Sequence, residues 1–161
     1  MRSLTSSGKL KAMLQKQELK TFVEGTTNYF EVAAQQPASI GSPYLVTDGQ
    51  PAVHDYTGMI TITGKREGVV YFTAPRAMLT VLLMKMQESD FSHETMRDLV
   101  GEVANTISGN ARRDFGRDFV ISVPSVVAGE RPEIPQTAGL RSFVIPINWR
   151  SHSAKLVVAL K

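Results

Sequence analysis

The segment from residue 92 to residue 116 constrains the fold more than any other part of the sequence. Its apolar residues recur at spacings of three and four, which places them on one side of a helix wound at about 100° per residue. They are Met96, Leu99, Val100, Val103, Ile107 and Ala111. Ser92 predicts the N-cap of this helix and Gly116 its end. A helix with one apolar side needs a surface to pack on, which the rest of the chain must supply.

Extended segments supply that surface. Two apolar runs, at residues 59–62 and 69–72, flank a polar segment that begins and ends with glycine, which predicts a β-hairpin. Further strands are predicted at 119–123, 142–148 and 154–160, and further helices from Gln15 to before Pro37 and from Pro75 to Met86. Because hairpins join most strands, we predict an α+β fold, an antiparallel sheet with long helices packed on it. The repeated order of helices and strands predicts an internal duplication.

The length of 161 residues predicts one domain, since domains average roughly 150 residues. Residues 1–14 are expected to form a flexible lead, which leaves residues 15–161 as a single domain.

The longest apolar run, 77–86, is interrupted by Thr80 and Lys85 and is far shorter than the ~20 residues that span a bilayer. We therefore expect no membrane insertion. The absence of cysteine suits a reducing compartment, so a cytoplasmic location is expected.

Composition and charge exclude several classes of site. Without cysteine there is no disulfide framework, thiolate nucleophile or zinc finger. The three histidines are dispersed, so no metal site is predicted.

The net charge is only +3, and the basic clusters are small: Lys9, Lys11 and Lys16, and Arg112, Arg113 and Arg117. We expect solvated faces and no nucleic-acid partner. A nucleic-acid or membrane-surface binder remains an alternative, which salt-dependent retention on DNA or anionic lipid would reveal.

The face of the helix opposite its apolar side carries polar and small residues: Asp98, Glu102, Asn105, Gly109 and Arg112. Glu102 and Asn105 are neighbours one turn apart and point away from the core. Gly101, Ser108 and Gly109 surround them with little side chain. Glycine inside a helix costs about 1 kcal/mol relative to alanine, so stability is lost along this face. Small residues here would let the backbone of another protein approach closely.

Residues 98–110 resemble the signature helix of the CheC and CheX chemotaxis phosphatases. That family shows an acidic residue or Ser, three positions, Glu, two positions, then Asn. Asp98, Glu102 and Asn105 match it in type and spacing, and the Ser-Gly-Asn ending is similar to the CheX branch. The order of elements over roughly residues 15–160 is similar as well. The resemblance implies an internally duplicated CheC/CheX-like fold.

The resemblance also implies a function, hydrolysis of the aspartyl phosphate on a phosphorylated CheY-like receiver domain. The receiver carries its own Mg²⁺ and Lys, so no cofactor of this chain's own is expected. By resemblance, Asn105 would orient the attacking water and Glu102 would bind the Lys of the receiver. The partner-binding residues would be Asp98, Gly101, Ser108, Gly109 and Arg112. A noncatalytic interaction module that binds a receiver or a flagellar-switch protein is the alternative.

The first half of the chain offers an incomplete second copy of this pattern. Aligning the two helices puts Asn28 opposite Asn105 but Gly25 opposite Glu102, with Glu24 one position off. One site per chain is therefore expected. CheX-like members also pair through a sheet edge, so a homodimer is expected, and the apolar strand 154–160 is the foremost candidate for that edge.

Overall fold

An antiparallel sheet with helices packed on it forms the fold, which confirms the predicted α+β class. The computed structural model describes residues 6–46, 51–129 and 141–161. In chain order the elements of these ranges are α1 (Ser6–Val32), β1 (Ser39–Ile40), β2 (Tyr44–Val46), β3 (Tyr56–Gly64), β4 (Gly68–Ala74), α2 (Arg76–Lys85), α3 (His93–Phe115), β5 (Phe119–Ile121), β6 (Ser125–Ala128), β7 (Arg141–Trp149) and β8 (His152–Leu160).

The strand order interlocks the two halves of the chain. Within the described ranges it runs β1-β7-β8-β4-β3-β5, with β2 also paired to β7 and β6 also paired to β3. The hairpin β3–β4 of the first half and the hairpin β7–β8 of the second meet where β4 pairs with β8. The short strands after each long helix pair with the hairpin of the other half. A duplicated unit would produce this order, and the duplication itself stays a prediction.

Alternation along the strands divides the sheet into two apolar faces. One face packs with the helices into the main core, to which β3 and β4 contribute Ile60, Ile62, Val70 and Phe72. The intervening residues form a smaller cluster on the other face, composed of Met59, Val69, Tyr71, Val144, Val157 and Ala159. The central strands are therefore buried on both sides, which explains why they read as nearly continuous apolar runs.

The position of β8 corrects one expectation. The strand predicted at 154–160 was the foremost candidate for an edge that pairs with a second copy. In the structure β8 lies between β4 and β7 and is paired to both along its length. Its backbone donors and acceptors are already used within the chain, so β8 offers no edge.

Helix α1 begins earlier than predicted. It starts at Ser6 rather than at Gln15, so residues 6–14 of the expected flexible lead are its first turns. The composition of this segment explains the difference, because six of its nine residues are Leu, Met, Ala or Lys, which are all strong helix formers. The apolar periodicity on which the prediction relied becomes regular only after Gln15. The flexibility of the first residues stays a prediction.

The ends of α3 lie where the sequence predicts them. The Ser92 side chain accepts a hydrogen bond from the backbone N–H of Thr95 at 3.2 Å, which satisfies one free donor of the first turn. Gly116 ends the helix with a φ of 88°, a conformation that favours glycine, and its N–H donates to the Arg112 carbonyl.

Within the described residues, neither α3 nor any other helix combines the length and the apolar character needed to cross a bilayer.

Candidate functional site

The solvent-facing side of α3 carries the polar residues of the signature. The apolar residues of the opposite side are buried in the main core, as predicted. Asp98, Glu102 and Asn105 are all exposed. Glu102 and Asn105 are three residues apart, which corresponds to a rise of about 4.5 Å along the helix axis. A carboxylate and an amide therefore project side by side from a rigid, well-anchored helix.

These side chains have no partners in the described part of their own chain. Neither Glu102 nor Asn105 forms a side-chain hydrogen bond or an ion pair with any described residue, and the same is true of Asp98. Polar side chains that are held on a fixed backbone and face water can exchange that water for groups of another molecule at little conformational cost. The arrangement is suited to contacts with a partner.

Two residues predicted to bind a partner prove to be covered by the chain itself. Gly101 is buried, and a Cβ built on it would lie 3.0 Å from Cγ2 of Val126 and 3.4 Å from Cβ of Pro124. Ser108, seven residues or about two turns later, lies on the same flank and is 0% exposed. The prediction of partner contact is wrong for both. Gly101 makes room for the connection between β5 and β6.

Gly109 and Arg112 remain at the surface. A Cβ built on Gly109 would meet nothing within 4 Å, so this glycine leaves open space that the fold does not require. Arg112 is exposed, and its Nε donates to the Phe119 carbonyl oxygen at 3.1 Å. That bond fixes the start of β5 beside the end of α3 and leaves the terminal nitrogens of the guanidinium for other contacts.

The connection between β5 and β6 forms one wall of the site. It runs antiparallel to α3, since Phe119 lies beside Arg112 while Pro124 lies beside Gly101. Val123, the residue before Pro124, is 84% exposed. The sequence pattern does not single out Val123, because residues 119–123 are predicted as one strand that ends at Pro124. Its position directly before a proline was the available signal.

Helix α1 forms the other wall and places Tyr29 beneath the site. Tyr29 is 3% exposed, and its hydroxyl is buried without a hydrogen-bond partner in the described ranges. Burial raises the pKa of Tyr29 above its ordinary value, and the negative charge of Glu102 raises it further. The sequence does not single out Tyr29, since an aromatic residue on the inner side of a helix indicates only packing.

The incomplete copy on α1 lies at the surface as well. Glu24 and Asn28 are exposed, and Gly25 between them is buried against α3. Glu24 forms an exposed i,i+4 ion pair with Lys20 at 3.9 Å. In contrast to Glu102, this carboxylate already has a cation partner in its own chain.

No three His, Asp or Glu side chains come together as metal ligands in the part of the chain that the structure describes.

Comparison with known proteins identifies the family of the chain. Residues 56–148, more than half of the chain and including all of α3, match the family described as chemotaxis phosphatase CheX. No curated protein matches the chain.

Solved structures share its fold. A CheX protein from Desulfovibrio desulfuricans is 26% identical with a TM-score of 0.78, over 90% of this chain and 99% of the other. A CheX protein from Vibrio vulnificus is 20% identical with a TM-score of 0.77, over 90% and 99%. A complex from Borrelia burgdorferi, which contains CheX, CheY, BeF₃ and Mg²⁺, matches at 18% identity with a TM-score of 0.71, over 89% and 97%. With the signature residues exposed on α3 inside the matched segment, the chain belongs to the chemotaxis phosphatase CheX family.

Proposed function

We propose that this protein hydrolyses the aspartyl phosphate of a CheY-like receiver domain and so ends its signal. The observation that carries the proposal is the exposed pair Glu102 and Asn105 on one face of α3, neither of which has a side-chain partner among the described residues. Membership of the CheX family supports a phosphatase function. The Borrelia burgdorferi structure, in which CheX is in complex with CheY, supports the choice of partner.

Asn105 is the residue we assign to the attacking water. A carboxamide offers one donor group and one acceptor, so it can hold a water molecule in a fixed orientation without taking up a proton itself. The water oxygen attacks phosphorus in line with the acyl oxygen, the bond from phosphorus to that oxygen breaks, and the aspartate leaves as a carboxylate. Inorganic phosphate is released. Positioning one water for a ~10²-fold acceleration corresponds to about 2.7 kcal/mol of barrier.

Glu102 is the residue we assign to docking. Its carboxylate would form a charge-assisted hydrogen bond with the Lys of the receiver, which anchors α3 in the phosphate pocket. Asp98, one turn earlier and equally exposed, would extend the acidic surface, and Gly109 leaves room for the approaching backbone. Arg112 would close the far end of the contact.

The remaining parts of the reaction belong to the receiver. In this proposal the receiver holds the Mg²⁺ that neutralises the phosphoryl oxygens, and this chain contributes no metal ligand. The reaction takes place in the cytoplasm. The proposal therefore asks this chain only to position a water and to bind its partner, which are the two tasks that an amide and a carboxylate on a rigid helix can perform.

A homodimer also forms part of the proposal. Since β8 is central, the outer strands of the described sheet, β1 and β2 at one side and β5 and β6 at the other, are the places where a second copy could pair. Light scattering at micromolar concentration should give twice the mass of the chain. A monomer would contradict this part of the proposal and leave the catalytic part standing.

The decisive experiment follows phosphate loss from purified, phosphorylated CheY-like receivers with and without the protein. We expect faster loss for at least one receiver. Binding to the receiver activated by BeF₃⁻ and Mg²⁺ is measured alongside. Binding without acceleration would make the chain a noncatalytic interaction module, and absence of both would overturn the proposal.

A further inference from the structure

The crossing of α1 and α3 brings a buried hydroxyl to the level of Glu102. The two helices are antiparallel, because the rings of Phe22 and Phe115 are 6.0 Å apart while Gly25 lies against Ile107. One turn after Gly25 on α1 is Tyr29. Glu102 is five residues, or about one and a half turns, before Ile107 on α3, so Tyr29 and Glu102 lie at a similar height along the pair of helices.

The close approach at Gly25 keeps this alignment fixed. A Cβ built on Gly25 would lie 3.2 Å from the Ile107 carbonyl oxygen and 3.5 Å from Cβ of Asn110, so the two helix backbones nearly touch there. The Tyr29 ring is held in turn by Phe30, with ring centroids 5.3 Å apart in an edge-to-face arrangement. Tyr29 therefore has little freedom to move away from α3.

The Tyr29 hydroxyl is a donor without an acceptor. It is buried and has no hydrogen-bond partner among the described residues. A buried hydroxyl that is left unpaired costs free energy, so such groups are uncommon in folded proteins. The neighbouring carboxylate of Glu102 is exposed, hydrated and equally without a partner in the described ranges. A donor and an acceptor thus lie near enough for the charge of Glu102 to act on Tyr29, and neither is used by a described residue.

The raised pKa of Tyr29 keeps this donor available. Burial and the charge of Glu102 both favour the protonated phenol, so it stays neutral throughout the physiological range. A neutral phenol next to a carboxylate can donate a charge-assisted hydrogen bond once a change of rotamer brings the two together.

Docking supplies the reason for that change. When a receiver covers α3, the Glu102 carboxylate loses its water, and each lost hydrogen bond must be replaced. The Lys of the receiver replaces one of them. We propose that the Tyr29 hydroxyl replaces another, by donating to the Glu102 carboxylate in the docked complex, so that Tyr29 is a positioning residue for Glu102. This inference rests on the proposed function, and it adds a residue of α1 to the site.

The experiment compares Tyr29→Phe with a matched control, Tyr71→Phe. Tyr71 is also buried, and its hydroxyl also has no partner in the described ranges, but it belongs to the smaller apolar cluster on the other face of the sheet. Loss of the charge-assisted bond should raise the half-saturating receiver concentration of Tyr29→Phe about tenfold, with kcat within about twofold of wild type. Tyr71→Phe should match wild type. Both variants should unfold at the wild-type temperature or above, because neither hydroxyl has a partner among the described residues.

Glu102→Ala supplies the second half of the test. If Tyr29 acts through Glu102, adding Tyr29→Phe to Glu102→Ala should weaken binding of the BeF₃⁻-activated receiver no further. An unchanged half-saturating concentration in Tyr29→Phe, or an additive effect in the double variant, would overturn the inference. The wild-type protein separates the two proposals: if it neither dephosphorylates nor binds any receiver, the proposed function fails and the inference falls with it.

Discussion

Gly58 in β3 lies directly beneath the carbonyl of Val100 in α3. A Cβ built on Gly58 would overlap the carbon and oxygen of that carbonyl, so the helix rests on the strand backbone to backbone. The contact is one residue before Gly101 and two before Glu102. The distance between the signature residues and the sheet is therefore set by Gly58, a residue outside the signature.

Gly58→Ala should lower the free energy of unfolding by about 2–3 kcal/mol, because α3 would have to move off the sheet to admit a methyl group. Urea denaturation followed by circular dichroism measures the change. Receiver dephosphorylation should fall as well, since the helix is displaced just below Glu102. A variant as stable as wild type would show that the helix is not seated on this strand.

Asn105→Ala should abolish most of the stimulated dephosphorylation, with a loss on the order of 10²-fold in kcat. The amide is exposed and unpartnered among the described residues, so the free energy of unfolding should change by less than about 0.5 kcal/mol. Phosphate release under saturating receiver measures the first quantity, and urea denaturation the second.

Asn28→Ala is the control for that variant, because it removes the same side chain from an exposed position of α1. Its activity should equal that of wild type, as expected if the first half of the chain lacks a working site. A loss comparable to that of Asn105→Ala would mean that both halves take part.

The sequence predicts α3 well because its information is local. Ser92 and Gly116 act through hydrogen bonds and backbone conformation within their own turns, and the apolar side follows from helical spacing alone. The same spacing could not place Gly101 and Ser108. They lie at the border between the two faces, where burial depends on whether another element covers the flank. For Gly101 that element is the connection between β5 and β6, which follows α3 in the chain.

The order of the strands in the sheet could not be predicted from the sequence, for a similar reason. Each strand shows its own apolar pattern, but pairing partners are chosen over long distances in the chain, so nothing in residues 154–160 indicates that β8 is central. The strands β1 and β6 are two and four residues long, too short for a period to be recognised. The role proposed for Tyr29 could not be predicted either, because it depends on how α1 crosses α3.

The two glycines of α3 should respond to alanine in opposite directions. Gly109→Ala should stabilise the protein by about 0.5–1 kcal/mol, because the open space around it accepts a methyl group and alanine favours the helix. In Gly101→Ala the same gain is opposed by crowding against Val126, and we expect a net loss of about 1 kcal/mol. Thermal unfolding of both variants checks the order. Gly109→Leu should fold normally and still raise the half-saturating receiver concentration.

Alkaline pH should destabilise the protein through the buried phenols of Tyr29 and Tyr71. Burial raises the pKa of Tyr29 and of Tyr71 above the ordinary value of 10.0, with the charge of Glu102 adding to the effect at Tyr29. Both phenols hold their protons more tightly when folded, so their contribution is complete below pH 10 and is lost as the pH rises above it. The midpoint of alkaline unfolding, followed by circular dichroism, should rise when both are changed to Phe. An unchanged midpoint would contradict this assignment.

Val123→Ser should weaken receiver binding without affecting the fold. Val123 is 84% exposed, so it has little packing to lose in the free protein, and it directly precedes Pro124, which lies against Gly101. Covering a valine on docking contributes about 1.5 kcal/mol, which corresponds to a roughly tenfold rise in the dissociation constant when it is removed. Leu45→Ser is the control, because Leu45 is 40% exposed in β2 at the opposite edge of the sheet. Titration with the BeF₃⁻-activated receiver should separate the two variants. Equal affinities would mean that the wall formed by the β5–β6 connection lies outside the docked surface.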